Sequence, residues 1–300
     1  MIKFSIVITT KNRILDLKKT LISLKDILER TDVELLICDD ASTDGTQLYL
    51  QESINDFCIL NKKSKGLIYN RNVLNNLAKG LYIISLDDDA NFLSNNPLEE
   101  IESYFINEEN CAVISFSIFW GVKKPRFLTS SEKPIRVSSF VGCGHAWRKK
   151  YWLAIAEYPS WFVFYGEEDF ASYHLFKKGL EVHYNPKVLV HHRVDVKARK
   201  KNKDYGLRLR RSFRSVWYLY FLFLPLKEIP RRLCYTFWIQ LKNKTFKGDF
   251  KATIGIFLAV FDVFYNSIKL IKNSNRLNTQ EFKEYKDLPK AILYWKPERK

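Results

Sequence analysis

The first half of this chain alternates short, strongly apolar runs with longer segments of helical spacing. The runs are rich in β-branched residues and have polar residues after them: FSIVITT (4–10), VELLICDD (33–40), FCIL (57–60) and LYIISL (81–86). Helices are predicted between them over 14–28 and 67–80, the second with Gly80 as its stop. Strands that alternate with helices and lack tight hairpins predict an α/β fold, with a mainly parallel, Rossmann-like central sheet flanked by helices on both faces.

Polar clusters follow three of the four predicted strands. They are TTKNR (9–13), DDASTDG (39–45) and LDDDA (86–90). Ligands of such sheets bind beyond the carboxyl ends of the strands, so the clusters are expected to converge at one edge. Each cluster alone is also compatible with a solvated loop, but three at the same edge favour a binding site.

The third cluster places three carboxylates, Asp87, Asp88 and Asp89, directly after an apolar run. Like charges repel one another, and near a buried strand they lose much of their hydration. A hard divalent cation such as Mg²⁺ or Mn²⁺ would relieve this repulsion, because it binds carboxylates together with water and phosphate oxygens. The Asp-x-Asp pattern therefore predicts a metal that holds a diphosphate, which is the leaving group of an activated donor such as a nucleotide sugar.

The pattern changes after residue 110. CAVISFSIFW (111–120) predicts a further strand, whereas residues 122–140, rich in Lys, Pro and Ser, predict a mobile loop. EEDFASYHLFKKGL (167–180) predicts a helix with three acids at its start, where the helix dipole favours them. These acids are either helix caps or the source of a catalytic base. EVHYNPKVLVHHR (181–193) predicts a strand that ends in two histidines.

The excess positive charge is confined to the last third of the chain. Residues 193–300 carry 26 Lys and Arg against 9 Asp and Glu, whereas residues 1–192 carry 23 against 24. Two apolar runs with basic flanks, 216–226 and 254–265, lie in the basic part, and each is too short to cross a bilayer. They predict helices that contact an anionic membrane surface, with core helices docked on the first domain as the alternative.

Several patterns are missing from the sequence. The five cysteines form no CxxC pair, which argues against a disulfide framework or zinc site and for a reducing compartment. The N-terminus lacks the long apolar core of a signal peptide. No helix-turn-helix, RNP-like or zinc-finger pattern occurs, so we expect no nucleic-acid partner. The expected location is cytoplasmic, peripheral on the inner face of the cell membrane.

As a set, seven motifs over residues 4 to about 192 resemble the inverting family 2 glycosyltransferases, which have the GT-A fold. The motifs are SIVITTKNR (5–13), LLICDDASTDGT (35–46), KGLIYNRN (65–72), ISLDDDA (84–90), GCGHAWRKKYW (142–152), YGEEDFASYHLFKKG (165–179) and YNPKVLVHH (184–192). They stand in the family's order and at its usual intervals. The resemblance covers roughly two-thirds of the chain and implies a GT-A catalytic domain over 1–200, followed by a basic, aromatic helical region over 201–300.

The resemblance also implies roles for residues that would contact the nucleotide sugar. Thr9 and Arg13 stand where the first loop of the family meets the nucleotide. Asp39 matches the acid that reads the base edge, and Asp40 supports it. Arg71 matches a basic residue that faces the diphosphate.

Metal binding and catalysis are implied in the same way. Asp87 and Asp89 match the metal-binding pair, with Asp89 as the more direct ligand. Asp88, between them, is assigned to the nucleotide-sugar site and is an alternative ligand. Either His191 or His192 matches a late histidine that meets the metal or the diphosphate.

The catalytic base matches an acid at the start of the predicted helix. The family's Glu-Asp pattern aligns here with a slip of one residue, so the base is Asp169 or Glu168, and Asp169 is preferred. His174 stands where the family tends to have Arg, which leaves the role of that position open.

The expected function is transfer of a sugar, with inversion, from a nucleotide-diphosphate sugar to a glycan or lipid-linked acceptor in bacterial surface polysaccharide synthesis. The cofactor would be Mn²⁺ or Mg²⁺. One alternative is a non-catalytic protein whose basic tail binds anionic membrane or nucleic acid. A second alternative is nucleotidyl transfer on a similar sheet, for which the KNR segment (11–13) is thin support.

Overall fold

A computed structural model describes residues 1–54, 56–126, 128, 131–195 and 204–293. Nine strands of this part join in one sheet: β1 (Phe4–Thr10), β2 (Val33–Asp39), β3 (Phe57–Leu60), β4 (Tyr82–Asp87), β5 (Ala90–Phe92), β6 (Cys111–Trp120), β7 (Ile135–Val137), β8 (Gly144–Arg148) and β9 (Glu181–His192). Their order is β3-β2-β1-β4-β8-β6-β9-β5, and β7 pairs with β9. The α/β fold and all strands predicted from apolar runs are confirmed.

The sheet is less parallel than the sequence predicts. Strands β3, β2, β1 and β4 are parallel neighbours, but β8 runs antiparallel between β4 and β6, and β5 and β7 are antiparallel to β9. Strand β8 lies in the segment GCGHAWR, for which the apolar runs predict no strand. The expected loop 122–140 also contains a short strand, β7, while residues 127, 129 and 130 lie outside the described part.

The described helices are α1 (Ile14–Ser23), α2 (Lys25–Leu28), α3 (Thr46–Ser53), α4 (Leu67–Leu77), α5 (Pro97–Asn107), α6 (Lys149–Trp152), α7 (Glu167–Lys177), α8 (Tyr205–Phe223), α9 (Ile229–Asn243), α10 (Phe250–Tyr265), α11 (Ser267–Lys272) and α12 (Thr279–Asp287). The helix expected over 14–28 is two helices separated by Leu24. No helix among these combines the length and the apolar character needed to cross a bilayer.

Gly80 is not the helix stop that the sequence suggested. Helix α4 ends at Leu77, and Ala78 already has an extended ψ of 132°. Gly80 instead lies against β1, where a Cβ would stand 2.7 Å from the backbone nitrogen of Ser5. Its own backbone N–H donates to Ser5 Oγ over 2.8 Å. The glycine is therefore needed for a close approach of two backbones at the entry to β4.

The core continues across the predicted domain boundary at residue 200. On one face of the sheet, Trp147, Phe162 and Phe170 pack in the same buried cluster as Tyr218 and Phe223 of α8. Burial of aromatic side chains is a dominant stabilising contribution in a core of this kind. Helix α8 thus completes the sheet domain, so the apolar run 216–226 is a core helix segment rather than a membrane-facing one.

We predict that Gly80→Ala lowers the free energy of unfolding by about 1–3 kcal/mol, because the added methyl group collides with a backbone that cannot move freely. Chemical denaturation measures the effect. Gly206→Ala is the matched control: a Cβ there would stand 4.0 Å from that of Lys251, an ordinary contact, so the control should retain wild-type stability. Equal stability of both variants would contradict the close approach.

Candidate functional site

A cleft of about 750 Å³ opens at the carboxyl ends of β1, β2 and β4. Five of the predicted site residues line it: Thr9, Arg13, Asp40, Asp87 and Asp88. Three polar clusters that are distant in sequence therefore meet here, as the parallel half of the sheet requires.

Asp88 turns inward beneath the cleft floor. Its Oδ2 accepts a hydrogen bond from Thr10 Oγ1 over 2.8 Å, and Arg13 Nη1 lies 3.2 Å from its Oδ1. Burial raises the pKa of Asp88 to about 7, although the charge of Arg13 opposes this shift. Asp88 therefore connects the turn after β4 to the end of β1 and to Arg13.

Asp89 is fully buried and lies between two cationic or potentially cationic groups. Arg13 Nη2 lies 2.5 Å from its Oδ2, and His192 Nε2 lies 3.0 Å from its Oδ1. Burial acts to raise the pKa of Asp89, but His192 and Arg13 hold it below its usual range. A low pKa keeps this carboxylate ionised over the physiological range.

The two histidines at the end of β9 face opposite ways, because successive side chains of a strand alternate between its faces. His192 lies over the acidic cluster, with Nε2 3.9 Å from Asp87 Oδ2. His191 Nε2 instead contacts the backbone oxygen of Gly121 over 2.7 Å, and its ring packs on Phe119. The structure thus brings His192, and not His191, to the predicted metal ligands.

The donor atoms around Asp87 and Asp89 fit a divalent cation. Among the described residues, His192 Nδ1 is buried without a hydrogen-bond partner, and the 3.0 Å approach of His192 Nε2 to Asp89 Oδ1 lacks hydrogen-bond geometry. Carboxylate oxygens and a neutral imidazole are suitable ligands for Mn²⁺, and carboxylates also suit Mg²⁺.

A cysteine at this cluster was missed by the sequence reading. Donor atoms of Asp87, Cys143 and His192 lie within 4.8 Å of one another. Burial raises the pKa of the Cys143 thiol well above its usual value, and the charges of Asp87 and Asp89 add to this effect. A protonated thiol is a poor ligand for a hard cation, so the two carboxylates and His192 are the better set.

Arg71 connects the acidic cluster to the start of α7. Its buried guanidinium donates to Asp87 Oδ1 over 2.8 Å, to Glu167 Oε1 over 2.8 Å and to the backbone oxygen of Gly142 over 2.9 Å. Although burial acts to lower it, the pKa of Arg71 is raised by Asp87 and Glu167. This arginine was expected to face a diphosphate; here its guanidinium binds two carboxylates.

Glu168 lies beside the same guanidinium. A Cβ on Gly142 would overlap Glu168 Oε1 and would stand 3.0 Å from Arg71 Nη1, so the glycine makes room for both groups. Burial and then the charge of Glu167 raise the pKa of Glu168 well above its ordinary value. A carboxyl group with a raised pKa next to an acidic cluster is suited to general-base chemistry.

Asp169 points elsewhere, because successive residues on a helix are rotated by about 100°. It accepts a hydrogen bond from Ser139, and its charge acts on Tyr173 and on Tyr285 of α12. Burial raises the pKa of Asp169. The structure therefore brings Glu168, rather than the preferred Asp169, to Arg71 and the acidic cluster.

Asp39 and Asp40 are also adjacent residues with different surroundings. Asp40 lines the cleft and organises the loop before α4, accepting hydrogen bonds from Ser64 Oγ and from the backbone N–H of Lys65. Asp39 is fully buried; its Oδ2 accepts from the Ser42 backbone N–H over 2.9 Å, and its Oδ1 has no partner among the described residues. Its predicted contact with a base edge stays a prediction.

Helix α8 supplies cleft residues that the sequence reading assigned to a separate region. Leu207, Arg208 and Arg211 line the cleft together with Arg13 and Lys65. Burial, and then the charge of Arg214, lowers the pKa of Arg211. Arg211 has no hydrogen bond or ion pair among the described residues. No pattern within residues 201–300 reveals this placement, because it depends on how α8 packs against the sheet.

The rim of the cleft contains a strained segment before α7. Val163 lines the cleft with φ of 69°, and Tyr165 has φ of 71°. A positive φ is costly for a β-branched residue and persists only where the surrounding structure enforces it. Gly66 leaves room for this segment, since a Cβ there would stand 3.2 Å from Val163 Cγ1. Residues of this rim therefore lie in a fixed conformation against the loop that contains Gly66.

Comparison with solved structures shows the same fold at low identity. GalNAc-T7 with UDP, GalNAc and Mn²⁺ matches with TM-score 0.57 and 18% identity over 73% of this chain and 50% of that chain. The mannosyltransferase PcManGT from Pyrobaculum calidifontis, in complex with GDP-Man and Mn²⁺, matches with TM-score 0.51 and 17% identity over 72% and 62%. S. aureus TarS matches with TM-score 0.51 and 17% identity over 73% and 40%. The chain thus spans less than two-thirds of the length of each of these proteins.

Among curated proteins, none matches the sequence of this chain significantly. The family model for "Glycosyl transferase family 2" matches residues 5–165, which is more than half of the chain. These residues contain the Asp-x-Asp cluster and all the loops at the carboxyl ends of β1, β2 and β4. The chain therefore belongs to glycosyltransferase family 2 and has the GT-A fold.

Proposed function

We propose that the protein transfers a sugar, with inversion, from a nucleotide-diphosphate sugar to a hydroxyl of a glycan or lipid-linked acceptor. The observation that carries this proposal is the buried guanidinium of Arg71. Its Nη2 binds Asp87, and its Nη1 binds Glu167 and lies beside Glu168. A metal-binding acid and a candidate base are thereby held on either side of one rigid cation, as a single-displacement reaction needs.

Glu168 is the base in this proposal. Inversion requires one group that removes the acceptor proton while the diphosphate leaves from the opposite face of the sugar. The raised pKa of Glu168 makes its carboxylate a stronger base than an ordinary glutamate. Asp169 is the less suitable choice, because it is hydrogen-bonded to Ser139 and lies near α12.

The donor diphosphate would lie in the cleft among basic side chains. Lys11, Arg13 and Lys65 come from the sheet domain, and Arg208 and Arg211 come from α8. A divalent cation held by Asp87, Asp89 and His192 would neutralise charge on the leaving diphosphate. Nucleotides together with Mn²⁺ in two of the similar structures support this assignment.

We predict that the metal ligands are needed for donor binding as well as for turnover. Mn²⁺ or Mg²⁺ should raise the melting temperature in the presence of a nucleotide-diphosphate sugar, because the ion binds between the carboxylates and the diphosphate. A panel of donors in a thermal-shift assay measures this, with EDTA to remove the metal. Asp89→Asn should abolish the shift and the metal-dependent hydrolysis of the donor.

The matched control for this experiment is His191→Ala, whose side chain faces Gly121 instead of the cluster. It should retain the metal-dependent shift, whereas His192→Ala should weaken it. A non-catalytic protein would show salt-sensitive anion binding that survives both Asp89→Asn and EDTA, and that result would refute the proposed reaction.

We predict that Glu168→Gln lowers kcat by about 10²–10⁴-fold, because the base is lost while the donor cleft is unchanged. The KM of the donor should stay near the wild-type value. Asp169→Asn is the control and should keep most of the activity. Loss of turnover in Asp169→Asn with normal turnover in Glu168→Gln would reverse the assignment.

The pH profile gives an independent check of the same base. The ionised carboxylate is the active form, so kcat should fall as the pH drops through the raised pKa of Glu168. The acidic limb should therefore lie above the ordinary glutamate value of 4.5. Steady-state rates over a pH series measure it, and a limb at or below that value would contradict a buried base.

We predict that Arg211→Ala raises the KM of the donor about tenfold or more, because a charged hydrogen bond to the diphosphate is lost. The effect on kcat should be smaller. Arg231→Ala, an exposed arginine on α9, is the matched control and should behave as wild type. Initial rates over a range of donor concentrations distinguish the two outcomes, and an unchanged KM in Arg211→Ala would contradict the role of α8.

A further inference from the structure

Helices α10 and α11 present a stripe of large apolar side chains to solvent. Its members recur at intervals of three and four residues and are between 59% and 83% exposed: Phe250, Ile254, Phe257, Phe261, Phe264, Tyr265, Ile268 and Ile271. This spacing places them along one side of a helix. A continuous apolar patch of this length is unusual on the surface of a soluble protein and marks a site of interaction.

The opposite face of α10 is buried, and this keeps the stripe directed to solvent. Ala252, Gly255 and Ala259 are buried against α8. A Cβ on Gly255 would stand 3.3 Å from the backbone nitrogen of Arg210 and 3.5 Å from the backbone oxygen of Gly206. These small residues allow the two helices to approach closely. Rotation of α10 to bury its phenylalanines would force them into a contact that accepts only small side chains.

Exposed aromatic residues extend the stripe onto α9 and the segment just after it. Tyr235 is 65% exposed, Trp238 is 54% exposed and Phe246, just after α9, is 67% exposed. The rings of Trp238 and Phe246 are in edge contact, and Phe237 of α9 contacts Phe257 of α10. Tyr and Trp are favoured where one end of a side chain is in apolar surroundings and the other is in water.

The same surface is basic at its edges. Residues 229–276 carry nine Lys and Arg against two Asp. Both acids are engaged by other groups of the protein: Asp249 caps α10 at Ala252, and Asp262 binds Arg210. Lys247, Lys251, Lys269 and Lys272 are exposed beside the apolar stripe. The charge is therefore complementary to an anionic surface.

We infer that α10 and α11 lie flat in the interface of an anionic lipid membrane, with the stripe inserted among the acyl chains and the lysines at the headgroups. An apolar stripe of this kind with basic flanks is the pattern of a helix that lies on a bilayer. A second copy of the chain fits less well, because two such surfaces would bring their basic edges together at the cost of like-charge repulsion.

The geometry also connects this surface to the donor cleft. Helix α8 lies between them: its Gly206 and Arg210 contact α10, and its Arg208 and Arg211 line the cleft. Packed helix axes are about 8–10 Å apart, so the cleft lies roughly one helix layer from the membrane. An acceptor held at the membrane would therefore be close to the site. This last step rests on the proposed sugar transfer, whereas membrane binding does not.

Vesicle flotation with the full chain, without donor or metal, tests the inference. The wild type should bind vesicles of phosphatidylcholine with phosphatidylglycerol, and should bind pure phosphatidylcholine more weakly. The triple variant Phe257→Gln, Phe261→Gln, Phe264→Gln should bind at least about tenfold more weakly, because three inserted rings are lost. High salt should weaken the binding of the wild type, since the lysine contribution is screened.

The matched control is Ile22→Gln, Leu48→Gln, Leu153→Gln, three exposed apolar residues outside the stripe. It should float like the wild type. Circular dichroism should show equal helicity in all three proteins, because the substituted side chains are exposed. No flotation of the wild type, or equal flotation of the triple variant, would overturn the inference. So would a wild-type dimer that the triple variant disrupts without any vesicle binding, since a second copy would then cover the stripe.

Discussion

The arrangement of the site depends on the pairing of the buried Arg71 guanidinium with two carboxylates. Removal of one partner from a buried ion pair is strongly destabilising, because it leaves a charge without compensation in a poorly hydrated site. Here one guanidinium compensates Asp87 at the end of β4 and Glu167 at the start of α7. These two elements are distant in sequence and carry the metal-binding and base functions proposed above. Loss of either partner would therefore be costly, and the pairing holds β4 and α7 at a fixed distance across the site.

Helix α8 links three parts of the molecule that the sequence seemed to separate. Its aromatic face completes the core of the sheet domain through Tyr218 and Phe223. Its N-terminal arginines line the cleft. Its backbone at Gly206 and Arg210 packs closely against Gly255 of α10. The basic helical region that the resemblance implies over 201–300 thus shares part of its core with the sheet domain. The net charge of a segment indicates which partners its surface attracts. It does not indicate which residues pack in a common core.

The local geometry of strands and helices explains why the sequence left paired alternatives open. His191 and His192 are both placed at the end of β9 by the apolar run before them, yet only the register of β9 decides which ring faces Asp89. Likewise Glu168 and Asp169 begin the same helix, and their roughly 100° separation gives them different neighbours. Cys143 was missed for a related reason, because its contacts with Asp87 and His192 depend on the pairing of β8 with β4.

The sequence by itself determined the alternation of strands and helices, the acids and basic residues at the ends of β1, β2 and β4, and the apolar run that became α10. Those features follow from local hydrophobic period and composition, which need no knowledge of distant contacts. Tertiary structure alone decided which adjacent side chain meets the acidic cluster and that arginines of α8 line the cleft. It also decided that most of the run 216–226 is buried while one face of α10 is exposed. These outcomes depend on strand register and helix packing between residues far apart in the chain, and no local pattern encodes such distances.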